Sequence, residues 1–130
     1  MRYAKKYLGI DYGTKRIGLS IGDSETRTAV IFGTVNSIDE VASIITDEEI
    51  SAVVLGKPYS IADKAHKLPE NFEKFLAELK SKISVEIIFE DERLSSKYAD
   101  SLIGDKKTKA GRDEIAAMSI LQGYLDKNFK

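Results

Sequence analysis

The chain has no cysteine, no tryptophan, one histidine and two prolines. Without cysteine there is no disulfide scaffold, no zinc ribbon and no thiol nucleophile. A single histidine, His66, excludes a histidine-rich zinc site and leaves little room for a Ser-His-Asp triad. Its setting between Lys64 and Lys67 reads as a charged surface loop. No apolar run approaches the ~20 residues that a membrane-spanning helix needs. The opening Met1-Arg2-Tyr3-Ala4-Lys5-Lys6 is charged but lacks the apolar stretch of a secretion signal, so a reducing cytoplasm is the expected compartment. An excess of charge is missing too. Against 20 Lys+Arg stand 21 Asp+Glu, a formal net charge of −1, so no bulk basicity argues for a nucleic-acid partner. Any such contact must come from where the charges sit.

What is present fits one domain. The 130 residues can bury a core but are too few for a two-lobed ATPase or a TIM barrel. No repeat, low-complexity tract or linker interrupts them, so residues 1–130 are expected to form a single unit. Carboxylates are plentiful, and chemistry here would most naturally use hard oxygen ligands and Mg²⁺ or Mn²⁺.

The pattern predicts three strands, a helix, then alternating strands and helices. Tyr3 to Tyr12 reads as a strand with Leu8 and Ile10 on one face and Gly9 and Asp11 on the other. Gly13 to Arg16 makes a turn. Ile17, Leu19 and Ile21 then alternate with Gly18, Ser20 and Gly22. Thr28 to Val35 is a third strand. Ser37 with Glu40 makes a capping box for a helix carrying Val41, Ile44 and Ile45. Ala52 to Leu55 reads as a strand buried on both faces, stopped by Gly56-Lys57-Pro58. Pro69 suits the first turn of a helix bearing Phe72, Phe75, Leu76 and Leu79. Val85 to Phe89 is the last strand. Ser95 or Ser96 caps a short helix ending near Gly104, and a final, largely buried helix runs from Asp113 to about Lys127. Such an order implies a mixed α/β sheet whose ligand sites lie near the carboxyl ends of its parallel strands.

Three acidic positions stand out. Asp11 ends an apolar strand, opposite Gly18 if the hairpin turns at Gly13 to Arg16. Gly9, Gly13, Ser20 and Gly22 share its face, leaving room for a metal and a phosphate; a turn-forming aspartate beside glycine-rich strands is the plain alternative. Glu90-Asp91-Glu92 puts three carboxylates in a row at a strand end, a repulsion that a cation would relieve, with Arg93 able to hold one of them; a solvated strand end is the alternative. Asp113 opens the buried helix, as an N-cap or as a rigidly held ligand. Just before it, Lys106-Lys107-Thr108-Lys109-Ala110-Gly111-Arg112 forms a basic cluster suited to phosphates or, more plainly, a charged surface loop.

Together these segments resemble the YqgF/RuvX family. Leu8-Gly9-Ile10-Asp11-Tyr12-Gly13-Thr14-Lys15-Arg16-Ile17-Gly18 resembles its opening motif. Asp91-Glu92-Arg93-Leu94-Ser95-Ser96 resembles its second, where the family more often has threonines at the last two positions. Asp113-Glu114-Ile115-Ala116-Ala117, continuing to Leu121 and Tyr124-Leu125, resembles its third. The resemblance covers nearly the whole chain. It implies an RNase H-like fold, with a mixed five-stranded sheet, three antiparallel strands then parallel ones, and helices on both faces. It also implies a metal-dependent nuclease, described in the family as maturing the 5′ end of pre-16S ribosomal RNA or as resolving Holliday junctions.

Carried over residue by residue, the catalytic and metal-binding set is Asp11, Glu92 and Asp113, with Asp91 beside Glu92 as a further candidate ligand. The implied cofactor is a pair of Mg²⁺ or Mn²⁺ ions roughly 3.5–4 Å apart, bridged by Asp11, which activate a water and stabilise the leaving oxygen. Lys15, Arg16, Arg93, Lys106, Lys107, Lys109 and Arg112 are the implied nucleic-acid contacts. RNA, in a ribosomal precursor, is the favoured partner, and a DNA junction is the alternative. A homodimer stays open, because junction resolvases cut two strands symmetrically. The family's Gly-Leu-Pro-Leu-Asn stretch is here Gly56-Lys57-Pro58-Tyr59-Ser60, without the Asp-Gly that commonly follows, which puts substrate contact through that loop in doubt. Two rivals remain. One is an actin-like ATPase, which shares the strand-hairpin with an Asp-x-Gly-Thr turn but needs several hundred residues. The other is a non-catalytic nucleic-acid-binding module, which retention of all three carboxylates argues against.

Overall fold

A computed structural model of the chain describes residues 4–13, 16–57, 70–91 and 112–129, without the side chains of residues 70, 91, 112 and 113. Five strands form one sheet: β1 (Lys6–Tyr12), β2 (Ile17–Asp23), β3 (Val30–Val35), β4 (Ala52–Lys57) and β5 (Glu86–Asp91). Three helices join them: α1 (Ile38–Asp47), α2 (Glu70–Lys82) and α3 (Arg112–Asn128). The strand order is β3-β2-β1-β4-β5. The first three strands pair antiparallel, while β1, β4 and β5 run parallel. This is the expected mixed sheet.

Alternation decides which side chains go where. Leu8, Ile10, Ile17 and Leu19 point to one face, where they pack with Val41 and Ile45 of α1 and Phe72, Phe75 and Leu79 of α2. Tyr7, Ala52 and Val54 point to the other and pack with Ile120, Leu121 and Leu125 of α3. Central strand β4, covered on both faces, is wholly apolar from Ala52 to Leu55. It runs two residues further than expected, because Gly56 and Lys57 continue the parallel ladder with Glu90 and Asp91.

Caps and turns follow local chemistry. Ser37 caps α1 and forms the capping box with Glu40. Asp23 closes the turn after β2 by accepting from the backbone N–H groups of Glu25 (2.9 Å) and Thr26 (2.7 Å). These bonds hold the Asp23 carboxyl below its usual range. Strand β3 begins at Val30 rather than Thr28. The backbone before it is tied to α3 instead: Ala29 N–H donates to Gln122 Oε1 (2.9 Å), and Gln122 Nε2 donates to the Arg27 carbonyl (3.0 Å). One β-bulge interrupts the β2–β3 ladder, since Leu19 pairs with Gly33 but Ser20 with Ile31. Gly33 has φ +146°, which a side chain there would strain. The expected helix over 95–104 and the loop from Pro58 to Pro69, His66 included, lie outside the described residues.

Candidate functional site

The carboxyl ends of β1, β4 and β5 share one edge of the sheet. Asp11, next to last in β1, lies opposite Gly18 as the hairpin pattern requires. Only 5% of Asp11 is exposed, and its Oδ1 is sealed from solvent. The strand fixes its backbone, and burial restrains the side chain. Burying such a group costs several kcal/mol unless cations or donors surround it.

Helix α3 crosses this face antiparallel to β1. Tyr7 packs its ring against Tyr124 (5.3 Å between centroids) and Phe129 (5.9 Å). Two residues on, Gly9 sits directly under Ala117 and Leu121. Two more strand residues, about 6.6 Å, lead to Asp11; four helix residues back from Ala117, about 6 Å, lead to Asp113. The two rises are similar, so the helix, antiparallel to the strand, carries its first turn toward the end of β1. The helix opens at Arg112, so Asp113 is inside the first turn rather than at the cap. An acidic residue there still suits the positive end of the helix dipole.

The small residues beside Asp11 serve a purpose the sequence did not disclose. A Cβ on Gly9 would stand 2.2 Å from Ser20 Oγ and 2.7 Å from the Ala117 carbonyl oxygen. One on Gly22 would stand 2.8 Å from the Thr28 carbonyl oxygen. Ser20, fully buried, donates from its Oγ to the Ala117 carbonyl (2.7 Å). Gly9 and Ser20 therefore seat a helix backbone and leave no space for a ligand. The expected room for metal and phosphate is confined to the level of Asp11 and beyond.

Of the three consecutive carboxylates, Glu90 is the one whose surroundings are described. It is 8% exposed and ion-paired with Lys127 of α3. Its negative charge thus already has a cation, 37 residues away in sequence. The sequence offers Glu90 as one of three clustered carboxylates and the family's ligand set omits it; no local signal pairs it with Lys127. Ile88 packs against the α3-side cluster and Ile87 against the other, so residues of even number in β5 face α3, as Asp11 does.

Glu92, Arg93, Lys15, Lys106, Lys107 and Lys109 lie outside the described residues. Asp91 and Arg112 are described by backbone alone, Asp91 paired with Lys57 at the end of β5 and Arg112 opening α3. Arg16 is exposed and closes the β1–β2 hairpin, its carbonyl accepting from Gly13 N–H (3.0 Å). Among the described residues no group of three or more His, Cys, Asp or Glu side chains could hold a metal ion. Asp11 by itself fits one: a buried carboxylate is a hard oxygen donor of the kind Mg²⁺ and Mn²⁺ take.

On the opposite face of the same edge is a cavity of about 420 Å³ lined by Tyr12, Arg16, Asn36, Asn71, Lys74 and Phe75 among others. Among the described residues no helix is long and apolar enough to cross a membrane.

Comparison with known proteins gives a consistent picture. Residues 5–127 match a family model described as RuvX, Holliday junction resolvase. The candidate pre-16S rRNA nuclease of Halalkalibacterium halodurans is 34% identical, over 92% of this chain and 95% of that protein. Its counterpart in Chlamydia caviae is 36% identical, over 95% and 85%. In fold, the chain is similar to Thermus thermophilus RuvC in complex with a Holliday junction, with TM-score 0.67 and 12% identity over 95% of this chain and 94% of that one. It is also similar to the Fowlpox virus resolvase bound to junction DNA, with TM-score 0.54 and 15% identity over 96% and 99%. At such identities these two likenesses speak for the fold alone, which is RNase H-like.

Proposed function

The chain belongs to the RuvX family, and from that membership we propose that it is a divalent-metal-dependent nuclease acting at the carboxyl edge of the sheet. The names of its relatives support precursor 16S ribosomal RNA as the substrate and 5′-end maturation as the reaction. The observation that carries the site is the buried Asp11, opposite Gly18 at the end of β1. Residues 1–130 then serve as one catalytic domain, working in the cytoplasm where ribosomes are assembled.

Asp11, Glu92 and Asp113 are the residues that would hold Mg²⁺ or Mn²⁺. Bound metal would supply an activated water and charge stabilisation for the leaving oxygen. The chain's own part is to hold three carboxylates on rigid elements and to grip the substrate backbone. Lys15, Arg16, Arg93, Lys106, Lys107, Lys109 and Arg112 would bind phosphates, with little base specificity.

The test is Asp11→Asn, assayed on a pre-rRNA 5′ leader, single-stranded RNA and DNA, and a four-way DNA junction with Mg²⁺ or Mn²⁺. Cleavage of the leader should fall roughly 10³-fold or more with the fold intact. Full cleavage by the variant would place the chemistry elsewhere. A second reading, junction resolution by a homodimer, is supported by the family's description and the RuvC-like fold. Preference for the junction over the leader in the same panel would select it.

A further inference from the structure

We propose that the cavity on the α1/α2 side of this edge binds one unpaired nucleotide flanking the scissile phosphate. The location rests on the nuclease reading above; the capacity to bind does not. Asp11 and Tyr12 are consecutive at the end of β1, so their Cα atoms are about 3.8 Å apart while their side chains point to opposite faces. A single strand draped over the edge would meet both. The cavity, about 420 Å³, is within the size range of small-molecule sites, roughly 300–1,000 Å³.

Its walls have the parts of a nucleotide site. Tyr12 is half-buried and is backed by Phe75, with ring centroids 4.4 Å apart and planes inclined by 32°. Together they offer a braced aromatic wall for a base. Asn36 and Asn71 bring amides that donate and accept, as the edge of a base requires. Arg16 and Lys74 bring positive charge, and one carboxylate, Glu78, lines the same space and is already 3.5 Å from Lys82 Nζ. Among the described lining residues, Arg16 and Lys74 are the positive groups a phosphate would meet.

The orientation follows from α1. Just before its first residue, Glu40 Oε2 accepts from the N–H groups of Asn36 (2.7 Å) and Ser37 (3.0 Å), which puts a carboxylate at that end. That carboxylate would repel a phosphate. The base therefore lies toward Asn36 and the phosphate toward Arg16 and Lys74.

The probe is a single-stranded RNA hexamer containing 2-aminopurine, titrated in EDTA so that no turnover occurs. Wild-type protein should quench its fluorescence by stacking. Tyr12→Leu removes the outer ring of the aromatic wall and Lys74→Glu reverses a lining charge; thermal midpoints taken beside the titrations separate unfolding from lost affinity. Each variant should bind the hexamer roughly tenfold more weakly, and the first should lose the quench. Unchanged affinity and quench in both variants overturn the proposal. Quenching by a wild-type protein that cleaves no substrate would sink the nuclease reading and leave the cavity standing. Cleavage with unaltered binding in both variants would do the reverse.

Discussion

The two faces of the sheet are built on different plans. Toward α1 and α2 the strands present bulk: Leu8, Ile10, Leu19, Val53 and Leu55 are fully buried there against Phe72 and Leu79. Toward α3 they mix bulk with gaps: Tyr7 and Val54 pack there, but Gly9, Ser20 and Gly22 let the helix come close. The first face holds the fold together through apolar area. The second gives up area for proximity: a helix backbone rests on a sheet backbone, and the helix carries its first turn toward the end of β1. Charge follows the same division, since the buried carboxylates of Asp11 and Glu90 are both on the α3 face.

Neighbouring residues on the two faces separate stability from chemistry. Leu8→Ala, which opens a cavity on the bulky face, should cost about 2–5 kcal/mol in denaturant melts. The folded fraction should keep its cleavage rate per molecule. Gly9→Ala should cost less, about 1–3 kcal/mol, because the added methyl overpacks against the Ala117 carbonyl. Cleavage per folded molecule should nevertheless drop, since α3 must lift at the site. Equal activity in the two variants would dissolve the contrast. Lys127→Met leaves Glu90 buried without its cation, and a loss of about 1–2 kcal/mol is expected, moderated because Lys127 itself is half-exposed.

The last expectation is a pH dependence that shows only in alkali. Tyr7 is pushed up to about 12, chiefly by burial and then by its hydrogen bond with Tyr124. The folded state therefore keeps a proton that the unfolded chain releases near pH 10. The associated stability is complete below pH 10 and is lost as pH rises toward 12. Tyr7→Phe should flatten that alkaline decline in thermal midpoint; an unchanged decline would assign it to other groups.

Local order was legible in the sequence where the physics is local. The alternation of Ile17, Leu19 and Ile21 against Gly18, Ser20 and Gly22 placed Asp11 opposite Gly18, and Ser37 with Glu40 marked the start of α1. What failed to show was contact between distant segments. The glycines near Asp11 looked like space for a ligand because nothing in residues 8–22 says that a helix a hundred residues later will fill it. Strand β3 was drawn two residues too long because Gln122 takes the backbone groups of Arg27 and Ala29. The carboxylate run at Glu90 looked unrelieved because Lys127 is remote in sequence. For the site itself, pattern and family resemblance pick Asp11 and Asp113; the structure shows the first buried at the end of β1 and the second in the first turn of α3.

The Ser20–Ala117 bond spans 97 residues, and that span has a meaning in time. At roughly 5–20 residues per second, a ribosome needs on the order of 5–20 s to make the stretch between them. Through that interval β1 and β2 exist with their glycine face uncovered. The α3 side of the sheet is complete only once that helix docks. The late closure is also a long-range one, of the kind that slows folding. The bond that seats α3 on the sheet thus also fixes an order of assembly, in which the first hairpin waits for a helix made about a hundred residues later.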